Sequence, residues 1–298
     1  MKLLTLGYSP CPNDTFIFYA VMHGKIDTGA LKFNEKLLDV ETLNQKALNE
    51  ELDITKISYH AFGHLRDNYI LLRAGGALGK GCGPLVVAKH DYTMKKLRNK
   101  KIAIPGRLTT AFLLLQLFDP LFSYQLSAIS HQLSKVIEMP FHKIMDAVSR
   151  EEVDAGLIIH ESRFTYPSYG LKQVIDLGEW WEKETGLPIP LGGIIAKRSL
   201  GEELNAKINK LIRQSVEYAS GNRSEPMEYI KKHSQELSDD VIKQHINFYV
   251  NAFSLDLGDE GEKAVHELLS RAEEAGIIPK AKQEAACLIA SLHPASQP

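Results

Sequence analysis

Short apolar runs alternate with amphipathic stretches over the first two thirds of the chain. The apolar runs have the length of buried strands, and the stretches between them have helical spacing. This alternation favours an α/β fold, in which helices cover a sheet, over an all-β or all-α fold. The predicted strands are Leu3–Leu6, Leu31–Phe33, Ile54–Ile57, Ile70–Leu72, Leu85–Ala88, Ile102–Ile104, Lys135–Glu138, Ala155–Ile159, Val174–Leu177 and Gly193–Ala196. The predicted helices between them are Phe16–His23, Leu43–Leu48, Ala111–Phe118 and Ile144–Arg150.

The strand pattern ends near Glu202. Beyond it, apolar residues recur at helical spacing in two groups. These are Leu204, Ile208, Leu211, Ile212 and Val216, then Val265, Leu268, Leu269 and Ala272. We therefore expect a helical C-terminal tail. Because the tail is too poor in strands to stand alone, we expect it to pack back on the amino-terminal lobe.

Two segments have the pattern of crossings between lobes. Residues 79–89 and 188–197 each join a glycine cluster to a short apolar strand and then to a charged surface stretch. The chain between them would be an insertion held by two hinge strands. We therefore predict a bilobed protein with a larger lobe from residues 1–86 plus 196–298 and a smaller α/β lobe from residues 87–195. Such an architecture places a ligand cleft between the lobes.

Length and charge limit the classes of partner. A chain of 298 residues suggests two domains. Its 35 basic and 37 acidic side chains give a formal net charge of −2, and no basic patch stands out. We therefore expect a small-molecule ligand and neither nucleic acid nor a membrane surface as partner. The sequence gives no indication of the oligomeric state.

Cysteine usage and hydropathy bear on the compartment. Cys11, Cys82 and Cys287 are widely spaced and provide neither a disulfide framework nor a Cys-x-x-Cys site, which favours a reducing environment. No apolar run approaches the roughly 18 residues that span a bilayer. The apolar part of the amino terminus is shorter than that of a secretory signal. We therefore expect a cytoplasmic protein.

The loop Ser9–Phe16 leads from the first predicted strand into the first predicted helix. Its two prolines stiffen it, and Asn13 or Asp14 can cap the helix that follows. The loop suits either a ligand contact or a rigid turn with a good cap. Cys11 has no basic partner nearby in the sequence, so we expect a buried thiol rather than a nucleophile.

Two further strand-to-helix turns carry hydroxyl groups. In the first, Ser58 follows the run Ile54–Ile57 and is a candidate N-cap where backbone N–H groups converge on an anion. The alternating pattern of that run favours an exposed Lys56. In the second, Thr109 and Thr110 follow a Pro-Gly turn and precede an apolar helix. Helix amino termini attract anions, so a carboxylate is the expected guest, although Thr109 can also act only as a cap.

An apolar strand ends abruptly in His160-Glu-Ser-Arg163. An imidazole at the end of a strand in a cleft can act as a general base near neutral pH, although most histidines are not catalytic. Arg163 suits either an acidic ligand group or an ordinary ion pair. No spacing of metal ligands accompanies these residues, so we expect no metal site. Of the adjacent Trp180 and Trp181, we expect one in the core and the other either facing the cleft or packed at the hinge.

Together these segments resemble the 1,4-dihydroxy-6-naphthoate synthases, a family of menaquinone-biosynthesis enzymes of the futalosine route. The resemblance covers about residues 3–197. It rests on Ser9-Pro-Cys-Pro-Asn-Asp-Thr-Phe16, Lys56-Ile-Ser-Tyr-His-Ala61, Gly81-Cys-Gly-Pro84, Ile104-Pro-Gly106 with Thr109-Thr110-Ala111, Ile159-His-Glu-Ser-Arg-Phe-Thr-Tyr166, and Asp176-Leu-Gly-Glu-Trp-Trp181 with Pro188-Ile-Pro-Leu-Gly-Gly193. The helical tail beyond Gly201 matches no motif of the family.

The resemblance implies a type II periplasmic-binding-protein-like fold that is used for catalysis. It implies a lyase that converts cyclic dehypoxanthinylfutalosine to 1,4-dihydroxy-6-naphthoate with release of dihydroxyacetone, without a cofactor. The family's substrate-binding positions carry over to Lys56, Ile57, Ser58, Thr109 and Thr110, and its proton-accepting histidine carries over to His160. Asn13 and Asp14, in the proline-stiffened loop, and Arg163, which suits an acidic ligand group, are further candidate substrate-binding residues. The carboxylate of the substrate would rest at Thr109 and Thr110, or in the opposite orientation at Ser58.

Two alternatives remain at this point. A solute-binding protein for a small organic anion has the same architecture, because a fold does not decide a function. That interpretation calls for a secretory signal or a lipid anchor, which this amino terminus lacks. The related chorismate dehydratase of the same route is the second alternative. The Ser-Pro-Cys-Pro-Asn-Asp and Trp-Trp segments favour the synthase.

Overall fold

The strands of the chain form two separate sheets. A computed structural model describes residues 2–122, 135–234 and 238–282. Within these residues the strands are β1 (Lys2–Tyr8), β2 (Leu31–Leu37), β3 (Ile54–Ser58), β4 (Tyr69–Leu71), β5 (Ala77–Gly79), β6 (Leu85–Ala88), β7 (Lys101–Ile104), β8 (Lys135–Glu138), β9 (Ala155–Ile158), β10 (Lys172–Asp176) and β11 (Ile189–Lys197).

Helices lie between the strands and make up the described part of the chain after β11. They are α1 (Pro12–Met22), α2 (Val40–Leu48), α3 (Tyr59–Leu65), α4 (Met94–Leu97), α5 (Thr110–Phe118), α6 (Phe141–Ser149), α7 (Ser162–Thr165), α8 (Leu177–Thr185), α9 (Glu202–Gly221), α10 (Met227–His233), α11 (Asp239–Tyr249), α12 (Ala252–Leu255) and α13 (Gly258–Glu274). Among these described helices, none is long and apolar enough to cross a membrane.

The first sheet has the strand order β2-β1-β3-β11-β4, with β5 also paired to β11. β1 runs parallel to β2 and β3, whereas β11 is antiparallel to β3, β4 and β5. The second sheet has the order β10-β6-β9-β7-β8. β7 is parallel to β8 and β9, and β6 is antiparallel to β9 and β10. We call the first sheet with α1–α3 and α9–α13 the first lobe, and the second sheet with α4–α7 the second lobe.

The bilobed α/β prediction is confirmed, and each predicted strand and helix between β1 and β11 lies within or beside an observed element. β5 was not predicted, because its three residues adjoin glycines and show no periodicity. The whole of β11 pairs within the first sheet, although the predicted inserted lobe extends to residue 195. Ile189, the first residue of β11, already pairs with Gly79 of β5 in this sheet. The predicted boundaries at residues 86 and 195 stay a prediction.

The helical tail packs on the first lobe. Ile208, Leu211, Ile212 and Val216 of α9 are buried in one apolar cluster with residues of β1 and α1. These are the residues whose helical spacing predicts a buried face. The tail therefore completes the core of the first lobe, as expected from the sequence.

Candidate functional site

A pocket lies between the two lobes, and the space that it encloses together with its open mouth is roughly 680 Å³. Its walls come from the first strand-to-helix loop, from the turns after β3 and β7, from the end of β9, from β11 and from α11. The lining residues are Ser9, Asn13, Asp14, Val40, Lys56, Ile57, Ser58, Ala77, Cys82, Gly83, Pro84, Thr109, Thr110, Ala111, Ile159, His160, Leu191, Gly192 and Tyr249.

A buried ion pair lies in the first-lobe wall. Lys56 Nζ is 3.2 Å from Asp14 Oδ1 and donates a hydrogen bond of 2.7 Å to the carbonyl of Gly75. Lys56 is only 5 % exposed, so the expectation from strand alternation that it is exposed is wrong. β3 is covered on both faces, as its uninterrupted burial shows, and alternation then no longer separates inside from outside.

The Ser9–Phe16 loop holds Asp14 from several sides. The Asp14 carboxylate accepts hydrogen bonds from the Ser9 hydroxyl at 2.7 Å and from Asn13 Nδ2 at 2.9 Å. The predicted capping role of Asn13 or Asp14 is wrong, because α1 begins at Pro12 with Cys11 at the N-cap and no side-chain cap. Cys11 is buried, and burial raises the pKa of its thiol well above the ordinary value, which fits the expected unreactive thiol.

Ser58 lies at the N-cap of α3, and its side chain makes no capping hydrogen bond. Its backbone N–H donates to Asn44 Oδ1 at 3.0 Å, and its hydroxyl oxygen accepts from Asn44 Nδ2 at 3.2 Å. Since the hydroxyl acts as an acceptor there, its own hydrogen remains for a ligand. The side chain of Ser58 is therefore a donor at the edge of the pocket.

Thr109 and Thr110 begin α5 with their side chains already engaged. The Thr109 hydroxyl donates to the carbonyl of Gly106 at 2.8 Å and accepts from the N–H of Phe112 at 3.3 Å. The Thr110 hydroxyl donates to the carbonyl of Leu191 at 2.6 Å. Thr109 thus caps the helix as predicted. The N–H groups of the first helical turn have no partner within the helix, and these groups can bind an anion.

His160 lies at the pocket wall, two residues after the end of β9. Its φ is +55°, in the left-handed region that few residues other than glycine adopt. The edge of Phe141 packs against its ring at a centroid distance of 5.1 Å. Burial lowers the pKa of His160 to about 4, while the nearby Asp14 acts in the opposite direction and Lys56 adds to the lowering. The imidazole is therefore neutral near pH 7 and can accept a proton.

Hydrogen bonds and a close approach join the lobes beside the pocket. His60 Nδ1 of the first lobe donates to the carbonyl of Thr109 at 3.3 Å. The Glu41 carboxylate of α2 accepts from the N–H of Leu108 at 3.2 Å. A Cβ added to Gly106 would lie only 2.4 Å from Glu41 Oε2, so a larger residue there would force the Glu41 side chain to move. The two lobes are therefore in direct contact beside the pocket.

Arg163 and the tryptophans lie outside the pocket lining. Arg163 pairs with Asp176 at 2.5 Å and donates to the carbonyl of Gly83 at 2.6 Å. These contacts match the ion-pair alternative, and the role of Arg163 in substrate binding stays a prediction. Trp181 is fully buried and donates to the carbonyl of Pro188. Trp180 does not face the cleft, because α8 places its ring against Phe118 of α5.

The sequence reasoning missed the contribution of the helical tail. Tyr249 of α11 lines the pocket, and His245, one turn earlier, lies behind Asn13. Helical spacing predicts only that one face of α11 is buried, and says nothing about which residues lie across from it. Cys82 also lines the pocket, and burial raises the pKa of its thiol to about 12. Among the described residues, no group of three or more His, Cys, Asp or Glu side chains is arranged to hold a metal ion.

Comparisons with known proteins identify the family. A family model described as menaquinone biosynthesis matches residues 4–274. A 1,4-dihydroxy-6-naphthoate synthase of Thermus thermophilus is 50% identical over 277 residues, which cover 93% of this chain and 96% of the relative. A crystal structure of a protein from Archaeoglobus fulgidus is 40% identical, with a TM-score of 0.84 and coverage of 93% of this chain and 98% of that chain.

A more distant structure bears on the fold alone. A Candida albicans protein described as having the generic periplasmic binding protein fold has a TM-score of 0.68 at 15% identity, with 96% of this chain and 94% of that chain covered. The predicted periplasmic-binding-protein-like fold is therefore confirmed. Neither alternative function is favoured, because the 50% identical relative carries the synthase name. The chain belongs to the menaquinone-biosynthesis family of 1,4-dihydroxy-6-naphthoate synthases.

Proposed function

We propose that this chain converts cyclic dehypoxanthinylfutalosine to 1,4-dihydroxy-6-naphthoate and dihydroxyacetone in the interlobe pocket, with His160 as the general base. The observation that carries this proposal is the composition of the pocket wall. It joins a neutral imidazole, a buried Lys56–Asp14 pair and two hydroxyl-bearing turns from both lobes. The name of the half-identical relative supports the choice of reaction.

The substrate carries an aromatic carboxylate at one end and sugar-derived hydroxyls at the other. We assign the carboxylate to the amino terminus of α5, where the N–H groups of Thr110 and Ala111 belong to the first helical turn, with Ser58 as a further donor. The hydroxyl end then faces Asp14, Lys56 and His160. The influence of Asp14 and Lys56 on the pKa of His160 supports this placement, because it requires the three groups to be close.

The proposed reaction is a retro-aldol-type cleavage. His160 takes the proton of a substrate hydroxyl, and the O–H electron pair forms a new carbonyl on the departing three-carbon fragment. The adjacent C–C bond breaks, and its electron pair passes into the ring system as an enolate. Protonation and tautomerisation then give the aromatic diol, which provides the driving force. General-base assistance typically contributes about 10² to 10⁴ in rate, and lobe closure would exclude water from the intermediate.

The proposal includes a cytoplasmic location and a small carboxylate as the binding partner. Cys11 and Cys82 are both free thiols, which is consistent with a reducing compartment. No step of the proposed reaction requires a cofactor, since electrons are redistributed within the substrate and no net oxidation occurs.

A product assay tests the proposal and separates it from its alternatives. Purified protein is incubated with cyclic dehypoxanthinylfutalosine in one reaction and with chorismate in another, and the products are identified by mass spectrometry. We expect naphthoate and an equimolar amount of dihydroxyacetone from the first reaction only. A benzoate product from chorismate would indicate the dehydratase, and tight binding without any product would indicate a solute-binding protein.

A further inference from the structure

The orientation of the Asn13 amide in the pocket wall is determined from two sides. Its Nδ2 lies 2.9 Å from Asp14 Oδ1, and its Oδ1 lies 3.0 Å from Nε2 of His245. An ionised carboxylate only accepts hydrogen bonds, so the amide must present nitrogen to Asp14 and oxygen to His245. An amide oxygen also only accepts, and His245 Nε2 must therefore carry the hydrogen.

His245 is well suited to hold a fixed tautomer. It is completely buried in α11, and burial together with the neighbouring His160 lowers its pKa well below the ordinary value. A neutral imidazole has one N–H, and here it donates to Asn13. The other ring nitrogen, Nδ1, lies 3.8 Å from Oε2 of Glu161, just beyond hydrogen-bond distance.

The arrangement spans the two lobes next to the proposed base. Glu161 follows His160 directly in the second lobe, whereas His245 and Asn13 belong to the first lobe. The rings of His160 and His245 are nearly parallel, with centroids 6.3 Å apart. His245 therefore lies behind the reacting end of the pocket, while Asn13 forms part of its wall.

Asn13 gains a definite chemical role from this arrangement. One hydrogen of its Nδ2 is used by Asp14, and the second is left for a ligand. Two contacts oppose a rotation of the Asn13 amide by 180°, and one of them is lost without a donor at position 245. Such a rotation would place the acceptor oxygen where the nitrogen had been. A donor held in place before the reaction stabilises developing negative charge without reorganisation.

We propose that His245 is a positioning residue that fixes the Asn13 amide, so that Nδ2 donates to the substrate oxygen that becomes negative as the C–C bond breaks. This inference rests on the proposed function. Because the contact strengthens as charge develops, the loss of His245 lowers kcat more than it changes KM.

The first test compares two substitutions of His245. His245→Phe retains a ring without a donor, whereas the side-chain amide of His245→Gln can still donate to Asn13 Oδ1. We expect kcat to fall by about tenfold to a hundredfold in His245→Phe, by analogy with the groups that orient the ligands of metal sites. We expect His245→Gln to recover most of this loss, with KM similar in all three proteins. Wild-type kcat in His245→Phe would overturn the proposal.

The second test asks whether His245 acts through Asn13. In an Asn13→Ala background, His245→Phe should cause little further loss of kcat, because the amide that it orients is already absent. The same fold loss in both backgrounds would overturn the positioning role. His245→Met, whose flexible side chain adapts to irregular packing, provides a second donor-free variant if the Phe ring prevents folding.

A packing control separates positioning from general damage to α11. Ile242 is fully buried in the same helix and faces an apolar cluster. Ile242→Val should lower the melting temperature, while kcat stays at the wild-type value. A tenfold lower kcat in this variant would show that any defect in α11 affects catalysis. That result would overturn the specific role of His245. If the wild-type chain forms no naphthoate, the proposed function and this inference both fail. If it does and His245→Phe is unaffected, this inference alone fails.

Discussion

The two turns that carry hydroxyl groups into the pocket look alike in sequence and differ in chemistry. At the end of β3, Ser58 occupies the N-cap position of α3 without capping it, and the hydroxyl hydrogen is left for a ligand. Before α5, Thr109 caps the helix and uses its hydroxyl as both donor and acceptor. The first turn therefore offers a side-chain donor and the second offers backbone N–H groups, so one sequence pattern provides two kinds of anion contact.

The two turns also differ in charge. Beside Ser58 in β3, Lys56 is buried and paired with Asp14. The lining residues next to Thr109 and Thr110 are uncharged. A buried pair is costly when one partner is removed, because the remaining charge has no compensation. The first-lobe wall therefore depends on charge balance, whereas the second-lobe wall depends on helix geometry.

The largest expected effect comes from breaking the charge balance of the first-lobe wall. Lys56→Met leaves the buried Asp14 carboxylate without its ion-pair partner, and we expect the free energy of unfolding to fall by about 3 to 5 kcal/mol. Urea denaturation measures this loss. The matched control is the double variant Lys56→Met with Asp14→Asn, which removes both charges and should regain much of the stability. A double variant as unstable as the single one would contradict the importance of charge balance.

A second prediction concerns the pH dependence of kcat/KM, which we attribute to His160 of the second lobe. Its pKa is lowered to about 4 by burial, and a general base works only when it is deprotonated. We therefore expect kcat/KM to be flat from pH 8 to about pH 5 and to fall about tenfold per pH unit below the pKa. Initial rates across this range test it, with circular dichroism at each pH as the control for folding. A break near 6.5 would indicate an ordinary, solvated histidine.

The third prediction compares the two turns directly. Ser58→Ala removes a ligand donor without removing a cap, so we expect KM to rise by about five- to tenfold. It also removes the acceptor of the buried Asn44 Nδ2, so we expect a loss of about 1 kcal/mol in unfolding free energy. Thr109→Val removes the cap of α5, so we expect a loss of about 1 kcal/mol in unfolding free energy and a smaller change in KM. Steady-state kinetics and thermal melts of both variants provide the comparison. Thr109→Ser retains the hydroxyl and serves as the control, and the reverse pattern would refute the division of roles.

The smallest effect is expected at Arg163, which the structure places outside both turns. Arg163→Gln breaks the pair with Asp176, and Asp176 still accepts from the N–H groups of Gly178 and Glu179. We expect a lower melting temperature with KM within error of the wild-type value. A clear increase in KM would indicate that Arg163 contacts the substrate.

Much of this architecture could be predicted from the sequence because buried strands are continuous apolar runs, as in β6 and β9. The burial of Lys56 could not be predicted, because strand alternation assumes one exposed face and β3 has no exposed face. Nine chain segments meet at the pocket, and the motifs located most of them. The tail residues His245 and Tyr249 lay outside every motif, and only tertiary packing brings them to the site.

We infer that His160 is the base and does not hold the substrate in place. Asn is the appropriate replacement, because it tolerates the left-handed backbone at this position better than Ala does. We would titrate His160→Asn with the cyclic substrate by calorimetry and follow naphthoate formation in the same samples. We predict a dissociation constant close to the KM of the wild-type chain, with turnover lower by about 10² to 10⁴. Undiminished turnover, or loss of binding in a folded variant, would contradict it.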